Sequence, residues 1–270
     1  MSAIRIGIVG VAGRMGRMLI EEVGATPGTV LAAACERPGH DVIGHDAGAL
    51  AGAKPQGVKV GAEAEAVFRA SDVVIDFTVP KATAAHAGLA AASKTALVIG
   101  TTGIEGAEAE AIRAAGRTVP IVWAPNMSLG VNLLMALTER VAEALGPDYD
   151  IEILEMHHRH KVDAPSGTAL GLGAAAAKGR GVELAKVAAR GRDGNTGARR
   201  SGAIGFAALR GGDVVGDHYV MFAGEGERLE LVHKASSRRI YSRGALRAAL
   251  WVKGKAPGVY GMADVLGLGG

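Results

Sequence analysis

The 270-residue chain is 49% hydrophobic and 21% charged, with 41 glycines dispersed rather than repeated, so it can bury the core of one large domain or two smaller ones and is neither disordered nor collagen-like. Its formal charge of +3 is small and spread out, which argues against a nucleic-acid binder despite a sequence pI near 9.1. A lone cysteine, Cys35, excludes an internal disulfide and fits a reducing cytoplasm, while no apolar run reaches membrane-span length and the N-terminus runs into Ile4-Arg5-Ile6 without a secretory pattern.

In chain order, residues 4–9 are a short apolar run ending in Gly10-Val11-Ala12-Gly13-Arg14-Met15-Gly16, followed by helical spacing through Met18, Leu19, Ile20 and Val23. Strand, glycine turn and helix are the context of a dinucleotide-binding turn, with Ala12 where the second glycine of G-x-G-x-x-G would stand. A second strand, 30–35, ends at Glu36, about twenty residues beyond the glycines, where an acid accepts from the adenosine ribose hydroxyls. Arg37 follows and can accommodate a 2′-phosphate, so both NADH and NADPH are expected as cofactors.

After a glycine-rich connection and a weak strand near 58–60, the α/β rhythm continues. A buried strand over 73–77 ends in Thr78-Val79-Pro80, and a helix follows over 81–92. The strand at 96–99 ends in Gly100-Thr101-Thr102-Gly103, a helix covers 105–115, and the strand at 119–123 ends in Ala124-Pro125-Asn126-Met127. Parallel sheets bind ligands outside the carboxyl ends of their strands, so these loops should line one crevice with the glycine turn.

A helix over 130–145 links to a second domain that starts with a strand at Ile151. Further strands are expected at 182–189, 203–209, 219–223 and 228–233, the last two as a hairpin around Gly224-Glu225-Gly226-Glu227. Arg190, Arg192, Arg199 and Arg200, threaded with glycine, read as a flexible loop that attracts an anion or is merely solvated. Helical periodicity returns over 237–251, and the end of the chain packs back on the nucleotide domain. The expected class is α/β: an N-terminal Rossmann-like parallel sheet plus a smaller α+β C-terminal domain with an open mixed sheet. Residues 1–128, joined by a segment of about 241–270, form the dinucleotide-binding domain, and 129–240 the second.

The stretch Glu155–Ala169, E-M-H-H-R-H-K-V-D-A-P-S-G-T-A, lies on a loop between a short strand and a helix over 168–178. The first amides of a helix and its dipole favour an anion, so Ser166, Gly167 and Thr168 form an anion seat, with Lys161 as a point charge for a carboxylate or phosphate. A histidine in the same loop can exchange a proton near neutrality. A solvated basic turn is the bland alternative. A metal site of His157, His158, His160 and Asp163 has acceptable ligand types, but adjacent His157 and His158 on a strand point to opposite faces and no zinc signature is present, so no metal is expected. A nicotinamide dehydrogenase for another small carboxylate, a nucleotide-sensing binding protein and a zinc hydrolase stay open on residues alone.

That stretch resembles the signature of the 4-hydroxy-tetrahydrodipicolinate reductase (dihydrodipicolinate reductase) family, and G-V-A-G-R-M-G, I-G-T-T-G, A-P-N-M-S-L-G-V-N and H-K-A-S-S-R match as well, over nearly the whole chain. The resemblance implies an NAD(P)H-dependent reduction of a small dicarboxylate in diaminopimelate and lysine biosynthesis. It implies His157 as the acid-base residue, Lys161 as a second proton donor, and His158, Gly167 and Thr168 as substrate contacts. It implies cofactor contacts at Gly10, Val11, Ala12, Gly13, Arg14, Met15, Glu36, Arg37, Gly100, Thr101, Thr102, Ala124, Pro125, Asn126 and Met127, the last standing where some relatives carry phenylalanine. A cytoplasmic homotetramer assembled through the second domain's sheet is implied too.

Overall fold

The computed structural model describes residues 3–268 and divides into two compact units. One is the chain up to Ser128 together with the segment from Arg239 onward; the other is Leu129–Arg238.

The first unit begins with β1 (Ile4–Val9), α1 (Arg14–Ala25), β2 (Thr29–Cys35), the short α2 (Ala47–Leu50), β3 (Val60–Gly61) and α3 (Ala64–Ala70). It continues through β4 (Val73–Asp76), α4 (Pro80–Ser93), β5 (Ala96–Ile99), α5 (Gly106–Gly116) and β6 (Pro120–Trp123). Val73-Val74-Ile75-Asp76 and Ala96-Leu97-Val98-Ile99 are buried throughout, the unbroken run of a parallel strand covered on both faces rather than the alternation of a half-exposed one. α1 buries the spacing Gly16, Leu19, Ile20 and Val23 along one stripe, which its sequence periodicity sets.

The second unit starts with α6 (Leu129–Leu145), followed by β7 (Asp150–His157), α7 (Gly167–Gly179), α8 (Leu184–Val187), β8 (Ala188–Arg190), β9 (Ile204–Arg210), β10 (Gly216–Ala223) and β11 (Arg228–Ala235). Its five-stranded sheet runs β11-β10-β7-β9-β8, antiparallel on the β10 side of β7 and parallel on the β9 side. β7 alternates strictly, turning Ile151, Ile153, Glu155 and His157 inward. Ile151, Ile153, Phe206, Val220 and Phe222 form a core with Leu172 and Ala176 of α7. Fully burying one such side chain contributes roughly 1.5–3 kcal/mol.

The chain then returns to the first unit as α9 (Arg239–Val252), β12 (Gly258–Tyr260) and α10 (Met262–Leu266). β12 adds a parallel edge to β6, completing a seven-stranded sheet of order β12-β6-β5-β4-β1-β2-β3. α9 contacts α1, and Arg243 pairs with Glu22 at 3.4 Å and Lys253 with Asp72 at 3.0 Å.

The local expectations need correction at three places. The strand expected over 182–189 is a turn, α8 and a three-residue strand, because Leu184-Ala185-Lys186 are good helix formers. The stretch between β3 and β4, where no element is expected from the sequence, holds the two-turn helix α3, which buries Val67 and Phe68. The arginine-rich stretch is not merely solvated: Arg192 pairs with Glu152 at 2.8 Å, and Arg199 reaches Asp150 at 2.6 Å and Glu152 at 2.9 Å, tying the segment to the start of β7.

Candidate active site

In the first unit the turn after β1 closes because Gly10 takes a left-handed φ of +73° and residue 16 has no side chain. A Cβ at Gly16 would lie 2.5 Å from the Gly10 carbonyl oxygen and 2.6 Å from Val11 Cα. α1 starts at Arg14 with Gly13 as an N-cap that offers no side-chain acceptor. Its opening amides and dipole suit an anion. At the end of β2, Glu36 accepts from the Ala12 amide at 2.9 Å and from the Arg37 amide at 3.0 Å, and the Arg37 side chain stands exposed. A cavity of about 510 Å³ opens among Gly10, Gly13, Glu36, Arg37, Thr78 and His86.

The loops Gly100–Thr102 and Ala124–Met127 follow β5 and β6, so parallel strands deliver them to the same sheet edge as the glycine turn. Thr101 is buried and accepts a hydrogen bond from Thr83 at 2.9 Å, while Thr102 and Pro125 are exposed. Met127 is 1% exposed. Sequence reasoning passed over Asp76, whose buried carboxylate accepts from the Thr78 amide at 2.8 Å, the Thr78 hydroxyl at 2.6 Å and His86 Nδ1 at 2.8 Å. An acid ending the otherwise apolar Val-Val-Ile-Asp strand was the available signal. Burial, then the charge of Glu36, pushes the Cys35 thiol up to about 12, so it stays protonated beside the cavity. Turn, helix amides, the acid at the end of β2 and the cavity together suit a dinucleotide cofactor.

In the second unit the loop expected from Glu155 starts only at His158, because Glu155, Met156 and His157 continue the pairing of β7 with its neighbours, which makes His157 the last residue of the strand. The fully buried Glu155 binds His157 Nδ1 through Oε2 at 2.5 Å, takes both Arg210 Nη atoms at 2.8 Å, and accepts from the Ser166 amide at 3.1 Å. Ser166 caps α7, its hydroxyl oxygen accepting from the Ala169 amide at 3.1 Å, and it contacts His218 Nε2 at 3.2 Å. The His157 and His218 rings meet edge to face at 5.1 Å. Beside them Lys161 grips Asp163 at 2.8 and 2.9 Å, and a Cβ added at the exposed Gly167 would meet nothing within 4 Å, leaving the backbone there open to a ligand. Within this unit His157, His158, Lys161, Gly167 and Thr168 therefore share the strand end, the loop and the helix start. Among the described residues no three His, Cys, Asp or Glu side chains gather as a metal-ligating group.

Burial alone would raise Glu155, but the hydrogen bonds from Arg210 and His157 outweigh it and hold the carboxyl below its ordinary range. Burial, reinforced by the charge of His157, lowers His218 to about 4, so that ring is neutral at neutral pH. Burial and then Arg238 push His158 down, and its Nδ1 is shielded without a partner. The hydrogen bond from Lys161 lowers Asp163. Glu155, Ser166, Arg210 and His218 were not singled out as a network from the sequence. An acid at an inward position of an alternating strand pointed to Glu155, whereas Arg210 and His218 arrive from β9 and β10 with no local signal.

The N-terminal model of the dihydrodipicolinate reductase family matches residues 4–127 and the C-terminal model residues 130–266. The 4-hydroxy-tetrahydrodipicolinate reductase of Magnetococcus marinus is 56% identical over 264 residues, covering 98% of this chain and 98% of the relative. That of Dinoroseobacter shibae is 58% identical over 263 residues, covering 97% and 98%. Among solved structures, a dipicolinate-bound dihydrodipicolinate reductase from Paenisporosarcina sp. TG-14 superposes with a TM-score of 0.77 at 26% identity, covering 97% of this chain and 99% of that one. With both halves matched by its models and near-full-length relatives above half identity, the chain belongs to the dihydrodipicolinate reductase family.

Proposed function

We infer that the chain reduces 4-hydroxy-tetrahydrodipicolinate to tetrahydrodipicolinate with NADH or NADPH, in diaminopimelate and lysine biosynthesis. The observation that carries the reading is the pairing of an acid-base group with an anion seat: His157 and the start of α7 share the buried Glu155 carboxylate, in a chain whose other unit has a dinucleotide turn. The dipicolinate in the Paenisporosarcina relative supports a planar dicarboxylate as ligand.

The bound nicotinamide supplies a hydride to the ring. The substrate carries two carboxylates, so the ring accepts that hydride only where the developing negative charge is absorbed. The amides at Gly167 and Thr168 hold one carboxylate, with His158 beside it. Lys161 adds fixed positive charge and a second proton donor, and His157 gives the proton that completes the reduction. Substrate, reduced nicotinamide and one proton yield product, oxidised nicotinamide and the water formed from the ring hydroxyl. Gly10 to Met15 take the diphosphate, Glu36 the ribose diol and Arg37 a 2′-phosphate where there is one, with residues 100–102 and 124–127 toward the nicotinamide.

The proposal includes a cytoplasmic homotetramer. The lone cysteine supports the compartment. The outer face of the five-stranded sheet supports the assembly: register puts Leu209, Leu154, Tyr219 and Val232 on the face opposite α7, with Leu209 47% and Val232 45% exposed. Sedimentation at the mass of four chains supports it, and a monomer contradicts it. The activity is tested by the fall in absorbance at 340 nm with freshly generated 4-hydroxy-tetrahydrodipicolinate. Turnover dependent on that substrate is expected; none with either nicotinamide would overturn the reading.

A further inference from the structure

The Glu155 carboxylate is 0% exposed and uses all its acceptor capacity: Oε2 takes His157 Nδ1 and Arg210 Nη1, while Oε1 takes the Ser166 amide and Arg210 Nη2. An ionised carboxylate only accepts, so the hydrogen on His157 lies on Nδ1 and the ring works through Nε2. Gly216 on β10 leaves room for that nitrogen, since a Cβ there would stand 2.9 Å from it. The other oxygen fixes the amide of Ser166, the residue whose hydroxyl caps α7. Arg210 neutralises the carboxylate in a bidentate pair, so it does not oppose an anion arriving at α7. His218, facing the same ring from β10, is neutral and bonded to Ser166, and does not compete for Glu155.

We propose that Glu155 is a positioning residue that sets the His157 tautomer and, through the same carboxylate, joins the proton donor to the helix start that receives the substrate's carboxylate. This rests on the reading of His157 as the acid. The groups facing that ring are Glu155 on its own strand, with Arg210 from β9 behind it, and His218 from β10; Lys161 and His158 lie in the adjoining loop. Replacing the carboxylate with an amide removes the acceptor that fixes the Nδ1 hydrogen and the anion beside the ring, while the Arg210 cation stays in place.

The test is E155Q, assayed as kcat and kcat/KM across pH, with NADH binding measured alongside. The expected result is a drop of about tenfold or more in kcat/KM and a move of its alkaline limb to lower pH by about one unit, with NADH affinity unchanged. A purely structural role would lower activity without moving the limb, and an unmoved limb overturns the proposal. Should E155Q fail to fold, imidazole ¹⁵N resonances of the wild-type protein, assigned through H157Q, decide the matter. Neutral His157 protonated on Nδ1 is expected, and protonation on Nε2 overturns it. Wild-type protein inactive toward the substrate would fail the functional reading, while the resonances would still judge the tautomer.

Discussion

Lys161 and Asp163 form a close ion pair in the loop that leads to α7, so the ammonium is held near the helix start while one hydrogen bond is left to give. A charge-assisted bond to a substrate carboxylate is worth roughly 1.5–3 kcal/mol, so K161A should lower kcat/KM by about 10- to 100-fold. An unchanged kcat/KM would remove Lys161 from the site. Arg37 is exposed next to Glu36, and R37A should weaken NADPH about tenfold while sparing NADH, as a lost phosphate contact does. Equal losses measured by fluorescence titration would reject that assignment. At this scale the sequence was most informative where chemistry is contiguous: His157, His158 and Lys161 stand within five positions. It was silent on Arg210 and His218, because only the pairing of β7 with β9 and β10 brings them to Glu155.

At the scale of elements, α7 links structure to chemistry. Ser166 ends the extended loop, caps the helix and touches His218, so S166A loses an N-cap worth about 1 kcal/mol and should lower Tm by a few degrees. A Tm equal to wild type by calorimetry would show that the cap contributes nothing. The strand at Ile151 and the turn between β10 and β11 were legible because apolar residues interspersed with polar ones report a half-buried sheet directly, whereas the extension of β7 through His157 was hidden by the run of polar residues after Leu154. α3 and α8 were not, since helices of seven and four residues offer too few turns to display a 3.6-residue period. The Val182–Ala189 stretch illustrates the ambiguity: Val-Glu-Leu-Ala-Lys-Val alternates well enough for a strand, yet helix propensity decides its centre.

For the molecule as a whole, the α/β class and the parallel sheet followed from alternating apolar runs and helices, because a strand buried on both faces has no polar positions to hide. The position of β12 had no such signature: a three-residue strand far along the chain joins β6 only through the completed fold. Acid stability is a property at this scale. His218 titrates near 4 when folded against an ordinary 6.5, so the unfolded chain binds the extra proton between those values. Its contribution is therefore complete above pH 6.5 and falls away toward pH 4, by roughly 3 kcal/mol over that range. Thermal melts should show Tm declining through that window, and H218Q should flatten the decline; an equal slope in the variant would contradict it. In the proposed mechanism the unit with the glycine turn binds the nicotinamide and the unit with His157 supplies the proton and the anion seat. H157Q tests it most directly, through kcat and NADH affinity measured on the same preparation. In that variant kcat should fall by about 10²- to 10⁴-fold with NADH affinity unchanged, and turnover at the wild-type rate would contradict the role of His157.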